Sequence, residues 1–239
     1  MVANTDSPAR VSVVIPTLNE AGHIADTLRS IEDASGQLDV IVADGDSTDG
    51  TLDRVREIAP SGQIVYAPRG RARQMNAGAE LATGSVLLFL HADTRLPHRA
   101  IRDIREALSD ASVAGGCFRT TFDDTQSVWM RLWQARMWMR WHRFAFGDRG
   151  LFVRRSVFDA IGGFPDQPIF EDLDMVRAIR QHGHFCFLDA AVVTSARRYQ
   201  RNGAFRQQLR NVTLWLGWTL GISPARLKRF YPDATTQRS

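Results

Sequence analysis

The sequence contains little of what marks a disulfide-stabilised, membrane-spanning or secreted protein. Its 239 residues include two cysteines, Cys117 and Cys186, and each stands alone in an apolar stretch, so neither a disulfide framework nor a thiolate metal site is expected. The apolar stretch 212–222 is far shorter than the roughly 20 residues that span a bilayer. The first ten residues are polar, and we therefore expect no signal peptide and a cytoplasmic location.

Two nucleotide-binding signatures are also missing. No Gly-x-Gly-x-x-Gly pattern follows the first predicted strand, which disfavours NAD binding, and no Gly-Lys-Ser/Thr sequence occurs, which excludes a P-loop. With 44% hydrophobic and 23% charged residues, the composition is nevertheless that of a folded globular protein.

Lysine is nearly absent, because Lys228 is the only lysine among 30 basic residues. Coding bias is one explanation for the 29 arginines. A guanidinium group, however, binds phosphate through two parallel hydrogen bonds, and the formal net charge is +4. The composition therefore favours partners that carry phosphate or anionic lipid headgroups.

Short β-branched runs alternate with helical patterns in the first half of the chain. Strands are predicted at 11–15, 38–43, 63–66 and 85–90, and helices at 20–31, 49–58 and 72–81, the first of them capped by Asn19. This alternation predicts an α/β fold with a mostly parallel central sheet and helices on both faces, in which ligands bind beyond the carboxyl ends of the strands. Farther along, strands are predicted at 113–122 and 150–154, an aromatic-rich helix at 128–146, and a helix that opens near residue 171.

Polar side chains follow the first two predicted strands. Pro16, Thr17 and Glu20 follow the first, and Asp44 and Asp46 follow the second. A carboxylate at Asp44 can accept a hydrogen bond from the N–H group of a nucleotide base, while Thr17 and Glu20 can hold a base or a ribose hydroxyl. The alternative is turn formation by the Asp-Gly-Asp-Ser string.

Two further groups follow the later strands. The fourth strand ends in His91-Ala92-Asp93, where a carboxylate can hold a divalent cation that bridges two phosphates; a plain loop before the next helix is the alternative. Arg69, Arg71 and Arg73 lie where a helix begins, a place that favours a phosphate group as well as a solvated basic turn.

Three carboxylates stand close together at Glu171, Asp172 and Asp174, where a helix with a later apolar face begins. Acidic residues are favoured in a first helical turn by the helix dipole alone. The functional alternative is that one of these carboxylates serves as a general base for an acceptor hydroxyl.

Four strings occur in the order seen in glycosyltransferase family 2, which has the GT-A fold: Val-Ile-Pro-Thr-Leu-Asn-Glu, Val-Ala-Asp-Gly-Asp-Ser-Thr-Asp-Gly, Leu-His-Ala-Asp and Phe-Glu-Asp-Leu-Asp. The sequence resembles that family over about residues 11–194. It also resembles the bacterial radical-SAM/selenodomain-associated transferases in Phe-Leu-His-Ala-Asp-Thr, in Phe-Gly-Asp-Arg-Gly-Leu-Phe-Val-Arg-Arg and in Arg-Arg-Tyr after the last strand. The resemblance implies a GT-A type, Rossmann-like fold with a helical C-terminal extension.

Carried onto this sequence, the resemblance implies inverting transfer of a sugar from a UDP- or GDP-sugar to an acceptor hydroxyl. Asp172 would be the general base, and Asp93 would reach Mg²⁺ or Mn²⁺ on the diphosphate. His91 stands where the family usually has the first Asp of Asp-x-Asp, so its part in metal binding stays open. Arg197 and Arg198 are expected to close over the diphosphate. The residues implied in donor binding are Pro16, Thr17, Glu20, Asp44, Asp46, Arg71, Arg73 and Asp93, and those implied on the acceptor side are Gly147, Asp148, Glu171 and Arg198.

The same resemblance divides the chain into three parts. Residues 1–10 are expected to be a disordered tail, and residues 11–200 the GT-A domain. Within that domain, 11–95 would form the nucleotide-binding half and 96–200 the acceptor half. Residues 201–239 are expected to form the C-terminal helical extension.

Basic and aromatic side chains are mixed in the predicted helix 128–146. Arg136, Arg140 and Arg143 form a stripe flanked by tryptophan, a pattern typical of a helix that lies in a membrane interface. With the apolar stretch near Trp215, it predicts peripheral association with the inner face of the membrane. A core helix whose arginines pair with carboxylates is the alternative. The sequence indicates neither the acceptor nor the oligomeric state, and no nucleic-acid partner is expected.

Two other functions fit parts of the pattern. A sugar-phosphate nucleotidyltransferase has a similar fold but carries a Gly-rich, basic loop after its first strand, where this chain has Thr-Leu-Asn-Glu-Ala-Gly. A non-catalytic, Arg-rich binder of anionic membrane or nucleic acid would keep its binding after Asp172→Asn and lose it as salt rises.

Overall fold

The computed structural model describes residues 9–31, 37–123 and 149–230 of the chain. An eight-stranded sheet runs through this part, with the strand order β3-β2-β1-β4-β7-β6-β8-β5. All strands run in one direction except β5 and β7, so the predicted mostly parallel sheet is confirmed. The strands are β1 (Val11–Thr17), β2 (Leu38–Asp44), β3 (Gln63–Tyr66), β4 (Val86–Phe89), β5 (Thr94–Arg95), β6 (Val113–Phe122), β7 (Leu151–Arg154) and β8 (His184–Thr194).

Helices cover both faces of the sheet, as the sequence predicts. In the described ranges they are α1 (Ile24–Arg29), α2 (Thr51–Ile58), α3 (Arg71–Leu81), α4 (Ala100–Ala107), α5 (Arg155–Ile161), α6 (Glu171–His182), α7 (Arg197–Asn202), α8 (Ala204–Thr219) and α9 (Pro224–Lys228). The last two lie in the predicted C-terminal helical region. None of these helices combines the length and the apolar character that crossing a bilayer requires.

The sheet separates two hydrophobic cores, one on each of its faces. Successive side chains of a strand point to opposite faces, so Val13 packs with α1, α2 and α4, while Val14 packs with α3, α5 and α6. Strands buried on both faces read as continuous apolar runs, which is why the runs in β1, β2 and β4 predict them correctly. Helix α3 lies very close to β1, because a Cβ at Gly78 would stand 2.4 Å from a methyl group of Val14.

The predicted beginning of the first helix is wrong. Helix α1 begins at Ile24 rather than at Glu20, and Asn19 does not cap it. Asn19 has a left-handed backbone (φ 55°), and its side-chain oxygen accepts a hydrogen bond from the Thr48 backbone N–H at 2.9 Å. An asparagine before an apolar pattern suits either a helix cap or a loop contact, and here its side chain binds the loop after β2.

Three predictions fall wholly or partly outside the described residues: the aromatic-rich helix 128–146, the acceptor residues Gly147 and Asp148, and most of the tail 1–10. Strands from both predicted halves, 11–95 and 96–200, belong to one sheet. The boundaries between the halves and at residue 201 stay a prediction.

Candidate functional site

The loops after β1 and β2 are joined at the carboxyl edge of the sheet. Thr17 and Asp44, the last residues of these strands, are register partners. Beyond them, the backbone N–H of Asn19 donates to the Ser47 hydroxyl at 2.9 Å, and that of Glu20 donates to the Thr51 hydroxyl at 2.8 Å. The two loops therefore form one ledge, on which Glu20 has a fixed position.

Asp44 organises the second of these loops. Its side chain is buried, and Oδ2 accepts hydrogen bonds from the backbone N–H groups of Asp46 and Ser47 at 3.0 and 2.9 Å, while Oδ1 accepts one from the Ser47 hydroxyl at 2.5 Å. The turn alternative for this string is therefore part of the structure. A carboxylate oxygen has about two acceptor positions, so Oδ1 can still accept a donor from a ligand.

Gln74 holds the ends of β1 and β2 together, a role that the sequence does not predict. Its side chain is buried in α3, and Nε2 donates to the carbonyl oxygens of Thr17 at 2.7 Å and Ala43 at 2.9 Å. The Thr17 hydroxyl itself donates back to the Ile15 carbonyl at 3.2 Å. A lone glutamine between arginines carries no signal of this contact, which depends on how α3 crosses the sheet.

Arg197 joins two carboxylates that the sequence places in separate loops. Its Nη2 lies 2.5 Å from Oε1 of Glu20 and 3.1 Å from Oδ2 of Asp93. Asp93 is brought to this point because β5, which follows it, pairs with the end of β8, and because the Ser195 backbone N–H donates to the Asp93 carbonyl at 3.1 Å. The sequence predicts that Arg197 closes over the diphosphate, but it does not predict this contact.

Burial and positive charge set the protonation of this cluster. Burial raises the pKa of Glu20 above its ordinary value, and the hydrogen bond and charge of Arg197 oppose that rise. The pKa of His91 is held well below its ordinary value by burial first and then by the charges of Arg71, Arg198 and Arg197. His91 is therefore a neutral imidazole at neutral pH, and its buried Nε2 has no hydrogen-bond partner among the described residues.

The acidic start of α6 reaches the same cluster through Arg71. Glu171 is 2% exposed, and its Oε1 accepts a hydrogen bond from Nη1 of Arg71 at 3.1 Å. Its neighbour Asp172 is 6% exposed, and Oδ1 accepts the Leu173 backbone N–H at 2.7 Å. Asp174, the third carboxylate, instead pairs with Arg177 and accepts a hydrogen bond from Gln167 at 2.8 Å.

Other predicted donor residues lie at the border of the cluster or away from it. Asp46 is exposed and lies 3.4 Å from Arg69, and Pro16 lies within β1 beside Thr17. Arg73 forms an exposed ion pair with Asp166 and is not drawn toward His91. The structure thus brings together Glu20, Arg71, His91, Asp93, Glu171, Arg197 and Arg198, with Thr17 and Asp44 on the adjoining strand ends.

Strained backbone accompanies these loops. Four non-glycine residues in the described ranges have positive φ; Asn19 and Asp46 stand in the loops after β1 and β2, and Phe170 directly precedes α6. Such conformations persist where the surrounding structure enforces them, commonly at functional sites.

The oxygen and nitrogen atoms of this cluster fit a hard divalent cation that obtains most of its ligands from a substrate. No group of three His, Cys, Asp or Glu side chains suited to a metal occurs in the described ranges. Asp93 supplies a carboxylate, and Oε2 of Glu20 and Nε2 of His91 are buried polar atoms without a partner in the described part of the chain. Mg²⁺ typically binds one or two carboxylates together with substrate phosphates and water.

Comparison with known proteins places the chain in a family. The model described as glycosyl transferase family 2 matches residues 12–165. The probable glycosyltransferase YdaM of Bacillus subtilis is 26% identical over 211 residues, which cover 77% of this chain and 50% of that protein. A beta-monoglucosyldiacylglycerol synthase of Nostoc is 25% identical over 186 residues, which cover 69% of this chain and 40% of the synthase.

A solved structure has the same fold. It is a mannosyltransferase from Pyrobaculum calidifontis in complex with GDP-Man and Mn²⁺, with a TM-score of 0.63 and 24% identity, over 77% of this chain and 56% of that one. The chain spans half or less of the length of the two curated relatives above. Because the family model covers more than half of the residues, the chain belongs to glycosyl transferase family 2.

Proposed function

We propose that the chain transfers a sugar from a nucleoside-diphosphate sugar to an acceptor hydroxyl, with inversion at the anomeric carbon. The observation that carries this proposal is the convergence of Glu20, Asp93 and Glu171 on arginines beside a neutral His91, at the carboxyl edge of the sheet. Membership of glycosyl transferase family 2 supports sugar transfer. The closer resemblance to the radical-SAM/selenodomain-associated subgroup stays a prediction.

The ledge formed by the first two loops suits the nucleoside. Pro16 and Thr17 end one strand, Asp44 ends the next, and Asp46 stands at the open side. Oδ1 of Asp44 can accept a hydrogen bond from the N–H group of a uracil or guanine ring. Glu20 extends from the ledge toward the cluster around Arg197, so the donor would run from Asp44 toward Asp93.

Beyond this ledge lie positively charged groups that would bind the diphosphate. Asp93 would hold Mg²⁺ or Mn²⁺, with Glu20 or His91 as a further ligand, and the cation supplies charge that stabilises the leaving nucleoside diphosphate. Arg71 and Arg198 add fixed positive charge, because both act on His91. Preorganised charge of this kind stabilises charge that develops in the transition state. Arg73 would contribute only after leaving Asp166.

Asp172 is the proposed general base. Glu171 is committed to Arg71, so we assign it the positioning of that arginine on the acceptor side. Asp172 would take the proton of the acceptor hydroxyl while its oxygen attacks the anomeric carbon from the side opposite the diphosphate. No covalent intermediate is required. Gly147, Asp148 and Arg198 complete the proposed acceptor side.

A lipid-linked acceptor at the inner face of the membrane is the acceptor class we favour. The name of the Nostoc relative refers to a glucosylated diacylglycerol. A cytoplasmic protein with an Arg-rich surface can reach such an acceptor by peripheral attachment.

The donor assignment is tested by thermal-shift and calorimetric titration of the full chain with UDP-, GDP- and dTDP-sugars, with and without Mn²⁺. We expect one nucleotide to bind more tightly with Mn²⁺, and Asp44→Asn and Asp93→Asn each to weaken it at least about tenfold, the loss of one charged hydrogen bond. The matched control is Asp53→Asn, an exposed carboxylate on α2. Binding equal to wild type in both site variants would overturn the assignment.

The base is tested separately by release of nucleoside diphosphate from the donor that binds. Asp172→Asn is expected to keep donor affinity and to lose turnover by about 10²–10⁴-fold, the usual contribution of general-base catalysis. Turnover within a few-fold of wild type would contradict the role of Asp172. Pyrophosphate release from a nucleoside triphosphate and a sugar phosphate would indicate the nucleotidyltransferase alternative instead.

A further inference from the structure

Helix α8 and the segment after it present apolar side chains to solvent. Leu209, Leu216 and Leu220 follow one another at intervals of seven and four residues, which places them on one side of the helix, and they are 57%, 47% and 81% exposed. Ile222 and Phe230 continue this area and are 44% and 70% exposed. These five residues are called the C-terminal apolar surface.

The opposite side of α8 contains polar groups. Gln207 is 2% exposed, accepts a hydrogen bond from Asn202 at 2.7 Å and donates one to Asn211 at 2.8 Å. Leu214 and Gly217 are buried on that side as well. A surface helix normally turns its apolar stripe inward and its polar residues outward. In α8 a leucine row faces outward while a glutamine is buried, so the outer row is available to a partner.

Charge identifies the chemistry of that partner. Residues 190–232 contain eight of the 30 basic residues of the chain and none of its 26 acidic ones, so the remainder of the chain is net negative. Arg206 and Arg210 lie on α8 itself, and Arg226 and Arg229 lie between Ile222 and Phe230. The leucines are thus bordered by cations with no neighbouring acid in sequence.

We propose that the C-terminal apolar surface docks on an anionic lipid bilayer. Apolar side chains enter the acyl region while flanking arginines contact acidic headgroups, the arrangement that holds an amphipathic helix in a membrane interface. A nucleic acid would use the arginines but gain little from exposed leucines. An acidic protein groove would also accept such a helix, but the cations are spread over α8, α9 and the residue after α9, which suits a broad, flat anionic surface better.

The docking surface is directly connected to the donor site. Helix α7 packs against α8, and its first residue is Arg197, which binds Glu20 and Asp93. Docking therefore places the catalytic cluster near the bilayer, where an acceptor carried by a lipid would be presented. The binding proposal stands apart from the sugar-transfer proposal, since its test measures membrane binding and requires no donor, acceptor or turnover.

The experiment is flotation of the full chain with vesicles of phosphatidylcholine alone and with vesicles containing about one part phosphatidylglycerol to three parts phosphatidylcholine. Two variants are compared with wild type: Leu209→Gln/Leu216→Gln/Leu220→Gln and Arg206→Gln/Arg210→Gln. The control is Leu81→Gln, a similarly exposed leucine on α3. All positions are on the surface, and melting temperatures check that each variant is folded.

Wild type and the Leu81 control are expected to float with the phosphatidylglycerol vesicles and not with phosphatidylcholine alone. Loss of two arginines should weaken the partition coefficient about 25-fold, since one cation near an anionic surface contributes roughly a factor of five. The triple leucine variant should lose flotation at every lipid concentration at which wild type floats.

Three results would overturn the proposal. The first is absence of wild-type flotation with acidic vesicles. The second is equal flotation of wild type and the leucine variant, which would show attraction by charge alone. The third is a wild-type dimer in sedimentation that the leucine substitutions dissociate while vesicle binding stays the same, because the surface would then serve self-association.

Discussion

Substitution Arg197→Met tests the central ion cluster, because it removes one cation from two carboxylates and keeps an unbranched, flexible stem like the aliphatic part of arginine. Glu20 and Asp93 are 16% and 19% exposed, whereas Arg197 is 41% exposed. Breaking a buried pair costs about 3–5 kcal/mol, whereas an exposed pair contributes at most about 1 kcal/mol. Because solvent screens the half-exposed guanidinium, we expect the free energy of unfolding to fall by about 2 kcal/mol at pH 7, measured by urea denaturation.

The pH dependence of that loss gives a sharper test. Arg197 opposes the rise of the Glu20 pKa, so Arg197→Met raises this pKa further. Below pH 4.5, the ordinary value for Glu20, the carboxyl group is protonated and gains little from Arg197. The destabilisation should therefore be smaller there than at pH 7, and Glu20→Gln should reduce it in a double-mutant cycle by about 1 kcal/mol.

A matched control distinguishes the effect of breaking the cluster from the effect of losing an arginine elsewhere. Arg73→Met removes the exposed pair with Asp166 and should leave the urea midpoint unchanged. The reasoning is refuted if Arg197→Met unfolds at the same urea concentration as wild type at pH 7. It is equally refuted if the loss does not depend on pH, since the carboxylates would then not sense the guanidinium.

Three further predictions concern the ends of β1 and β2, the contact of α3 with the sheet, and the protonation of the cluster. Gln74→Leu removes two buried hydrogen bonds, although the Thr17 carbonyl keeps the Gly45 backbone N–H at 2.9 Å. At about 1 kcal/mol for each hydrogen bond, the free energy of unfolding should fall by about 2 kcal/mol, measured by urea denaturation. Nucleotide affinity should fall with it, because the strand ends lose their cross-link. Gly78→Ala should cost about 1–3 kcal/mol, because its methyl group would stand 2.4 Å from Val14, while Gly22→Ala, with open space around it, should not be destabilising. The raised pKa of Glu20 stabilises the folded protein fully below pH 4.5 and less as pH rises through the folded value, so the stability of Glu20→Gln relative to wild type should increase from acid to neutral pH.

Local sequence pattern was sufficient for most of the fold. The β-branched runs of β1 and β2 are long enough, and apolar enough on both faces, to identify buried parallel strands, and the structure confirms them. The first helix was placed too early, because a residue such as Asn19 suits a cap and a loop contact equally well in isolation. Only the neighbouring loop decides between them, through the hydrogen bond from Thr48.

The candidate site could be predicted as a set of residues but not as a set of contacts. Strand ends identified Glu20, Asp44 and Asp93, since the carboxyl ends of parallel strands meet at one edge. The position of Arg197 depends on β8 returning beside β5, and the two residues of its ion pair with Glu20 are 177 positions apart. The role of Gln74 could not be predicted, because a buried cross-link made by one amide produces no periodic pattern in the sequence.

The sequence by itself determined the α/β alternation, the mostly parallel sheet, the family and the loops that carry carboxylates and arginines, because these follow from local periodicity and from motifs of consecutive residues. The tertiary structure alone decided that Arg197 holds Glu20 and Asp93, that Arg71 rather than Arg73 reaches Glu171, and that α8 turns Leu209 and Leu216 to solvent. The physical reason is that a charge or an apolar face acquires its partner only when the order of the strands and the packing of the helices fix the distances between segments far apart in the chain.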